Sequence, residues 1–157
     1  MREILFRGKR LDNGEWVAGY YWALTRADKT VHVIRTDNLT EANVIVDPET
    51  VGQYIGINDF NGKKIFEGDI IRYCEGTAYN CWEESLEHPE HYDGMYDPEF
   101  QYSAVKYYED EFTGFDLDNI KPDWCGLSEL TGSVNYVYEV VGNIHDNPEL
   151  LGGGGDE

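Results

Sequence analysis

The stretch that decides the fold is Asp47–Arg72, which reads DPETVGQYIGINDFNGKKIFEGDIIR. It alternates short β-branched and aromatic runs with turn signals, and strands favour this composition. Asp47-Pro48 begins a turn, because proline fixes its own φ and pushes the preceding residue out of the helical region. Asn61-Gly62 is a strong signal for a type I′ hairpin turn, which needs a positive φ at both central positions. The stretch therefore predicts short strands at residues 50–57, 63–66 and 70–73, and tight turns link them.

The segments on either side supply further strands. A first strand at 3–11 leads through the turn signal Asp12-Asn13-Gly14 into a returning strand at 15–24. Further strands are predicted at 30–35, 43–46 and 103–108, and the longest alternating run at 134–144 forms the last. Trp16, Ala18, Tyr20 and Trp22 share one face of the second strand, and we expect this aromatic face to pack in the core rather than serve as a ligand platform.

Many short strands at regular spacing indicate a mainly β, antiparallel fold that is compact and barrel-like, with two small β subdomains and few short helices. We expect a single domain over residues 1–151. It comprises an N-terminal β part (1–73), an acidic variable insert (74–123) and a C-terminal strand that closes the fold (124–151). Residues 152–157 form a glycine-rich, flexible tail.

The chain is strongly acidic, with 12 Lys and Arg against 31 Asp and Glu and a formal charge of −19. Direct binding to nucleic acid or to an anionic membrane is disfavoured, because both need a cationic footprint. The acidic charge is compatible with binding of a basic protein partner or with a protein that imitates the charge of DNA. The simpler interpretation is that the charge keeps the protein soluble. Between Glu75 and Asp123 there are 14 acidic residues but only two lysines, so the insert carries most of the charge.

The three cysteines stand at irregular spacings and do not form a disulfide framework. The chain shows no apolar signal segment at its N-terminus and no run of 18 apolar residues. These features predict a soluble protein of the cytoplasm.

Candidate sites are sparse. The sequence shows no phosphate-binding glycine loop, nucleophile elbow or His-Glu-x-x-His motif, so we expect a protein that is not an enzyme and needs no cofactor. A metal site is a weaker hypothesis, and its candidate ligands are Cys74, Cys81, His88 and His91. Their spacing matches no common zinc motif, and they could equally be surface residues with no shared role. Candidate binding residues are acids and tyrosines of the insert: Glu83, Glu84, Glu87, Tyr92, Tyr96, Tyr107 and Tyr108.

The order of motifs resembles the YopX family of phage and prophage proteins. The similarity lies in three blocks: RGKR with NGEWV near the N-terminus, VDPETVGQY with NGKKI and EGDI in the middle, and YEVVGNIHDNPELL at the C-terminal end, within residues 7–20, 46–70 and 138–151. The resemblance implies a mostly β fold with compact barrel-like subdomains and an association with oligomeric assembly. It supplies no catalytic residues.

The leading hypothesis is a phage- or prophage-derived, non-enzymatic module for protein binding or assembly, with a basic host or phage protein as partner and a homo-oligomer as a further possibility. One alternative is a nucleic-acid-related protein, either a single-strand binder that stacks bases on aromatic side chains or an acidic DNA mimic. A metal-dependent enzyme built on the cysteines and histidines is the third hypothesis.

Overall fold

The computed structural model describes residues 3–37, 40, 42–75, 100–108, 114–117 and 136–152. These residues confirm a mainly antiparallel β fold with two short 3-10 segments, Pro48–Thr50 and Pro148–Leu151. The ten described strands are β1 (Phe6–Lys9), β2 (Trp16–Arg26), β3 (Lys29–Arg35), β4 (Asn43–Ile45), β5 (Gly52–Asn58), β6 (Lys64–Phe66), β7 (Asp69–Glu75), β8 (Gln101–Tyr108), β9 (Gly114–Leu117) and β10 (Tyr136–Asn143).

The chain divides into two compact units and passes between them three times. The first unit comprises Met1–Ile57 and Lys64–Glu67, and the second comprises Asn58–Lys63 and Gly68–Glu157. Each unit contains one sheet. The six-stranded sheet of the first has the order β4-β3-β2-β1-β5-β6, and the four-stranded sheet of the second has the order β10-β7-β8-β9. Neither sheet closes into a barrel within the described residues, so the barrel-like expectation was too strong.

The core of the first unit lies under β3 and β4. Ile34, Val44 and Val46 are buried there, and Val17, Tyr21 and Val51 pack against them. The sheet curls far enough for Val46 to bridge Arg10 at the end of β1. This contact is an isolated bridge and not a continuous ladder of strand pairs, so the sheet remains open at this side.

The Asp47-Pro48 turn ties the first unit together through its side chains. An Asp47 carboxylate oxygen accepts a hydrogen bond from the Glu49 N–H at 3.0 Å and caps the 3-10 turn. The hydroxyl of buried Thr50 donates to the Asp47 carbonyl at 2.7 Å and accepts from the Lys9 N–H at 2.8 Å. The central motif therefore holds β1 in place by turn chemistry.

The turn at Asn61-Gly62 differs from the predicted type I′ hairpin. Gly62 has a φ of +80°, but Asn61 is not among the described residues with a positive φ. The Gly62 N–H donates to the Asp59 carbonyl at 2.9 Å, and the Asp59 N–H donates to the Lys63 carbonyl at 2.7 Å. This pattern is a three-residue loop in which a type I turn is followed by a left-handed glycine. The prediction of the turn type was wrong because the Asp59 side chain organises a longer loop.

The second unit is built around β7. Ile70, Ile71, Val105 and Leu117 are fully buried. β10 pairs with β7 in a register that shifts between Val140 and Gly142, the mark of a β-bulge.

The C-terminal motif is a polar turn that follows β10. The side-chain oxygen of buried Asn143 accepts hydrogen bonds from the N–H groups of His145 and Asp146, each at 3.0 Å. The Asn147 amide oxygen lies 2.5 Å from the place where a Cβ on Gly142 would stand. The asparagine and glycine of this motif are therefore explained by the turn itself.

Candidate functional site

The clearest surface feature of the described residues is an apolar stripe on one face of β2, β3 and β4. The strands alternate, so that side chains two residues apart share a face. The stripe consists of five large side chains with the following exposed fractions: Tyr20 64%, Trp22 42%, Leu24 42%, Val31 37% and Ile45 52%. The strand registers bring them together, because Trp22 lies opposite Val33, Leu24 opposite Val31, and Val33 opposite Ile45.

The opposite face of the hairpin packs on the core. Tyr21 lies opposite Ile34 in the register and packs against the core cluster. The Tyr21 hydroxyl and Nδ1 of His32 lie 2.5 Å apart, and their rings stack with centroids separated by 6.0 Å. His32 is thus a hydrogen-bonded, half-buried side chain.

The prediction that the face of Trp16, Ala18, Tyr20 and Trp22 packs in the core was wrong for the last three of these residues, which are exposed. Trp16 is half-buried and contributes its ring to two basic side chains. The Arg7 guanidinium lies 4.8 Å and the Lys9 ammonium 5.5 Å from the centre of that ring. The core takes the other set of side chains because Gly19 on that face allows close approach: a Cβ there would stand 3.1 Å from Ile34 Cγ2 and clash with the Arg35 carbonyl.

Cationic side chains frame the stripe. Arg35 lies opposite Tyr20 at one end, and Arg26 lies opposite Lys29 at the other. All three are exposed and form no ion pair with another described residue. None of the strands β2, β3 and β4 contains an acidic residue. The stripe is therefore locally cationic in a chain of net charge −19.

A depression of about 570 Å³ adjoins the stripe. Its lining includes Leu11 and Ile45, which are 64% and 52% exposed, beside the ion pair of Arg10 with Asp12 at 2.6 Å. It lies along β4, which forms one edge of the six-stranded sheet. Ile45 belongs to both the stripe and the depression, so the two surfaces are continuous.

Most of the binding residues predicted from sequence lie outside the described residues. These are Glu83, Glu84, Glu87, Tyr92 and Tyr96. Tyr107 and Tyr108 lie in β8 of the second unit. Tyr107 is 44% exposed and packs edge-on against Phe115 with ring centroids 5.1 Å apart, whereas Tyr108 is half-buried.

The predicted metal ligands are not assembled in the part of the chain that the structure describes. Cys81, His88 and His91 lie outside it, and Cys74 is placed only by its backbone, in β7. Among the described residues, no three His, Cys, Asp or Glu side chains are grouped as a metal ion would require. No helix in these residues is both long enough and apolar enough to cross a membrane.

Sequence reasoning missed Leu24, Val31 and Ile45 as parts of a surface. A usable signal was present in the alternation. The face of Tyr20, Trp22 and Leu24 continues into Arg26, whereas the opposite face carries Val17, Gly19 and Tyr21. A strand face that carries a cation beside its aromatic side chains is expected to be exposed to solvent, because lysine and arginine are almost never fully buried without a partner.

The described residues form two antiparallel β-sheets, which places the chain among mainly β proteins. The model of the YopX family, described as "YopX protein", matches residues 5–152. The chain therefore belongs to the YopX family, which confirms the resemblance seen in its motifs.

Among solved structures, the chain is similar to the crystal structure of protein EF1440 from Enterococcus faecalis. The two sequences are 20% identical, the match covers 96% of this chain and 99% of that one, and the TM-score is 0.47. No curated protein matches the chain.

Proposed function

We propose that this chain is a non-enzymatic protein-binding module of phage or prophage origin, which acts in the host-cell cytoplasm and captures its partner through the apolar stripe. The observation that carries the proposal is the contiguity of Tyr20, Trp22, Leu24, Val31 and Ile45, each between 37% and 64% exposed. Apolar side chains scattered singly over a surface need no explanation, but a connected set rimmed by polar residues is typical of interaction sites.

The composition of the stripe supports protein as the ligand. Tyrosine, tryptophan and arginine are enriched at protein interfaces and carry most hot-spot energy. Tyr20, Trp22 and Arg35 are all exposed and close in the register of β2 and β3. Single-stranded nucleic acid also stacks on aromatic side chains, but a chain of net charge −19 repels a polyanion.

The test is a pull-down from host lysate with the tagged chain, read by mass spectrometry. The variant Tyr20→Ser/Trp22→Ser removes the aromatic part of the stripe. The matched control Phe60→Ser/Tyr102→Ser removes two exposed aromatics of the second unit. We expect a partner that the wild type and the control recover and the stripe variant loses, with all three chains equally folded by circular dichroism.

Recovery of the same proteins by the stripe variant would overturn the proposal, and so would a wild-type pull-down without any specific protein. The acidic insert remains a separate prediction for a basic partner. Charge reversal at Glu83, Glu84 and Glu87 should abolish capture of such a partner without affecting a partner held by the stripe.

A further inference from the structure

The edge of the six-stranded sheet at β4 has backbone groups that face outward. In the pairing of β3 with β4, the Val46 N–H donates to the His32 carbonyl and the Thr36 N–H donates to the Ala42 carbonyl. Antiparallel pairs alternate between hydrogen-bonded and non-hydrogen-bonded positions. Asn43 and Ile45 therefore occupy the non-hydrogen-bonded positions, where the N–H and C=O point away from β3.

Only part of this edge is paired by the chain itself. The Ile45 carbonyl accepts a hydrogen bond from the Leu11 N–H at 3.1 Å, which continues the bridge between Arg10 and Val46. Among the described residues, the backbone groups of Asn43 and the N–H of Ile45 have no such partner. The depression of about 570 Å³ lies along these residues, and among the described residues it leaves space for another segment.

We infer that the stripe and the β4 edge together bind an extended acidic segment of a partner protein that carries apolar side chains at alternate positions. This inference rests on the proposed function and names the class of partner. The open edge selects an extended backbone, because unpaired strand edges are templates for strand addition. The stripe accepts the apolar side chains, and Arg26, Lys29 and Arg35 select carboxylates by charge complementarity.

The surface favours such a segment over nucleic acid. Leu24, Val31 and Ile45 are aliphatic, and aliphatic side chains offer no stacking face to a base. A polypeptide can also use the outward N–H and C=O groups of β4 in the regular ladder of a sheet. A peptide with a few carboxylates is repelled by the acidic chain far less than an oligonucleotide with a phosphate at every residue.

The experiment measures binding of fluorescein-labelled peptides by anisotropy at low and high salt. One peptide alternates Glu with Val, a second replaces each Glu with Gln, and a third is the Glu and Val peptide with alternate backbone nitrogens methylated. The protein variants are Arg26→Gln/Lys29→Gln/Arg35→Gln, the stripe variant Tyr20→Ser/Trp22→Ser, and the control Lys63→Gln/Lys106→Gln, which removes two exposed lysines of the second unit.

We expect the Glu and Val peptide to bind about tenfold tighter than the Gln peptide at low salt, with the difference shrinking as salt is added. The triple glutamine variant should lose this preference, and the lysine control should keep it. Methylation should weaken binding at least about tenfold, because it removes the donors of the added strand.

The outcomes separate the two proposals. Equal affinity for the Glu and Gln peptides, lost in the stripe variant, would overturn the acidic partner but leave protein binding by the stripe intact. Affinity that the stripe variant retains would overturn both. Unchanged binding of the methylated peptide would overturn strand addition.

Two further arms test other occupants. Tighter binding of an oligothymidylate than of any peptide would overturn the inference in favour of single-stranded nucleic acid. Concentration-dependent self-association that is lost in the stripe variant, measured by sedimentation velocity, would overturn it in favour of a second copy of the chain.

Discussion

Asp59 organises the loop that joins β5 to β6. It is 6% exposed, and its Oδ1 accepts hydrogen bonds from the N–H groups of Asn61 at 2.9 Å and Lys63 at 2.8 Å. Its Oδ2 accepts from the Val140 N–H of β10 at 2.9 Å. Burial raises the pKa of Tyr138, and the negative charge of Asp59 raises it further. One carboxylate thus satisfies three backbone donors of the second unit.

We predict that Asp59→Ala lowers the free energy of unfolding of the second unit by about 3 kcal/mol, because it leaves three partly buried backbone donors without their charged acceptor. Asp59→Asn should cost less, since its amide oxygen can still accept from Asn61 and Lys63. Amide hydrogen exchange at Val140 reads the effect directly. Exchange at Val140 as slow in Asp59→Ala as in the wild type would contradict the prediction.

Glu67 makes stability depend on pH. Burial raises the pKa of Glu67 above its ordinary value of 4.5, although a hydrogen bond from the Gln53 backbone acts in the opposite direction. The folded state therefore holds the proton more tightly than the unfolded chain. Ionised Glu67 lowers the free energy of unfolding above the folded-state pKa, and this penalty vanishes below the unfolded value.

We predict that Glu67→Gln is more stable than the wild type at about pH 7 and equally stable below about pH 4, where both chains are neutral at this position. Urea unfolding across this pH range measures the difference. A difference that does not change with pH would show that the substitution acts through packing instead.

Single residues show why turn locations are easier to predict than turn types. Gly14 and Gly62 both adopt a positive φ, as their Asn-Gly context indicated. The loop at Gly62 is longer than predicted because the side chain of Asp59 competes for the backbone donors. Such side-chain competition depends on exact geometry, which a dipeptide does not specify.

The β2–β3 hairpin has a two-residue turn, Ala27-Asp28, with φ values of 42° and 67°. Its strands pair up to Arg26 and Lys29, so this is the type I′ geometry that usually takes Asn-Gly. Residues 26–29 read Arg-Ala-Asp-Lys and contain none of the glycine dipeptides that predict such a turn. Alanine with a positive φ is strained, and strain of this kind is tolerated when the surrounding strands impose it.

We predict that Ala27→Gly raises the free energy of unfolding by about 0.5–1 kcal/mol, because glycine adopts a positive φ without steric cost. The matched control is Ala23→Gly in β2, where the same change should destabilise by a similar amount since glycine weakens strands. Urea unfolding of both variants gives the sign. Destabilisation by both substitutions would refute the strain argument.

Strand periodicity was predicted well, but the face that meets the core was not. The sequence placed Trp16, Tyr20 and Trp22 on one face correctly, and the registers of β2 with β1 and with β3 agree. The core nevertheless took the smaller set that includes Val17 and Gly19. The aromatic content of a strand shows which of its two faces is more hydrophobic. It does not show which face packs in the core, because that depends on Gly19, which allows close approach, and on the cations Arg26 and Arg35, which stay in solvent.

Charge is divided unequally between the units. Residues 1–57 and 64–67 contain eight basic and nine acidic residues, a net charge of −1. Residues 58–63 and 68–157 contain four basic and 22 acidic residues, a net charge of −18. Self-repulsion in the second unit therefore opposes its compact state.

We predict that raising the salt concentration slows amide exchange in β7 and β8 while leaving β2 and β3 unchanged, because salt screens repulsion between charges farther apart than about 10 Å at 0.1 M. Hydrogen exchange read by mass spectrometry resolves the two sheets in one sample. Equal protection of both sheets by salt would contradict this account.

The sequence predicted the fold class and the family because both rest on local turn chemistry, as at Asp47-Pro48 and Asn143. It did not predict the division of the chain, in which Asn58–Lys63 belongs to one unit while Lys64–Glu67 belongs to the other. That assignment depends on long-range contacts such as the hydrogen bond that the Val140 N–H donates to Oδ2 of Asp59. The hydrophobic periodicity of a single sequence does not predict which distant residues will contact each other.

The threefold passage of the chain between units limits how this protein can change by recombination. If two related genes recombine at one point between the codons for residues 58 and 67, each recombinant protein contains a unit whose segments come from different parent proteins. Exchange of one intact unit for that of a relative would require three crossovers in a span of about a dozen residues, at 57/58, 63/64 and 67/68. The two units are therefore expected to be inherited together, and grafting the stripe onto a foreign scaffold should start from the β2–β3–β4 segment.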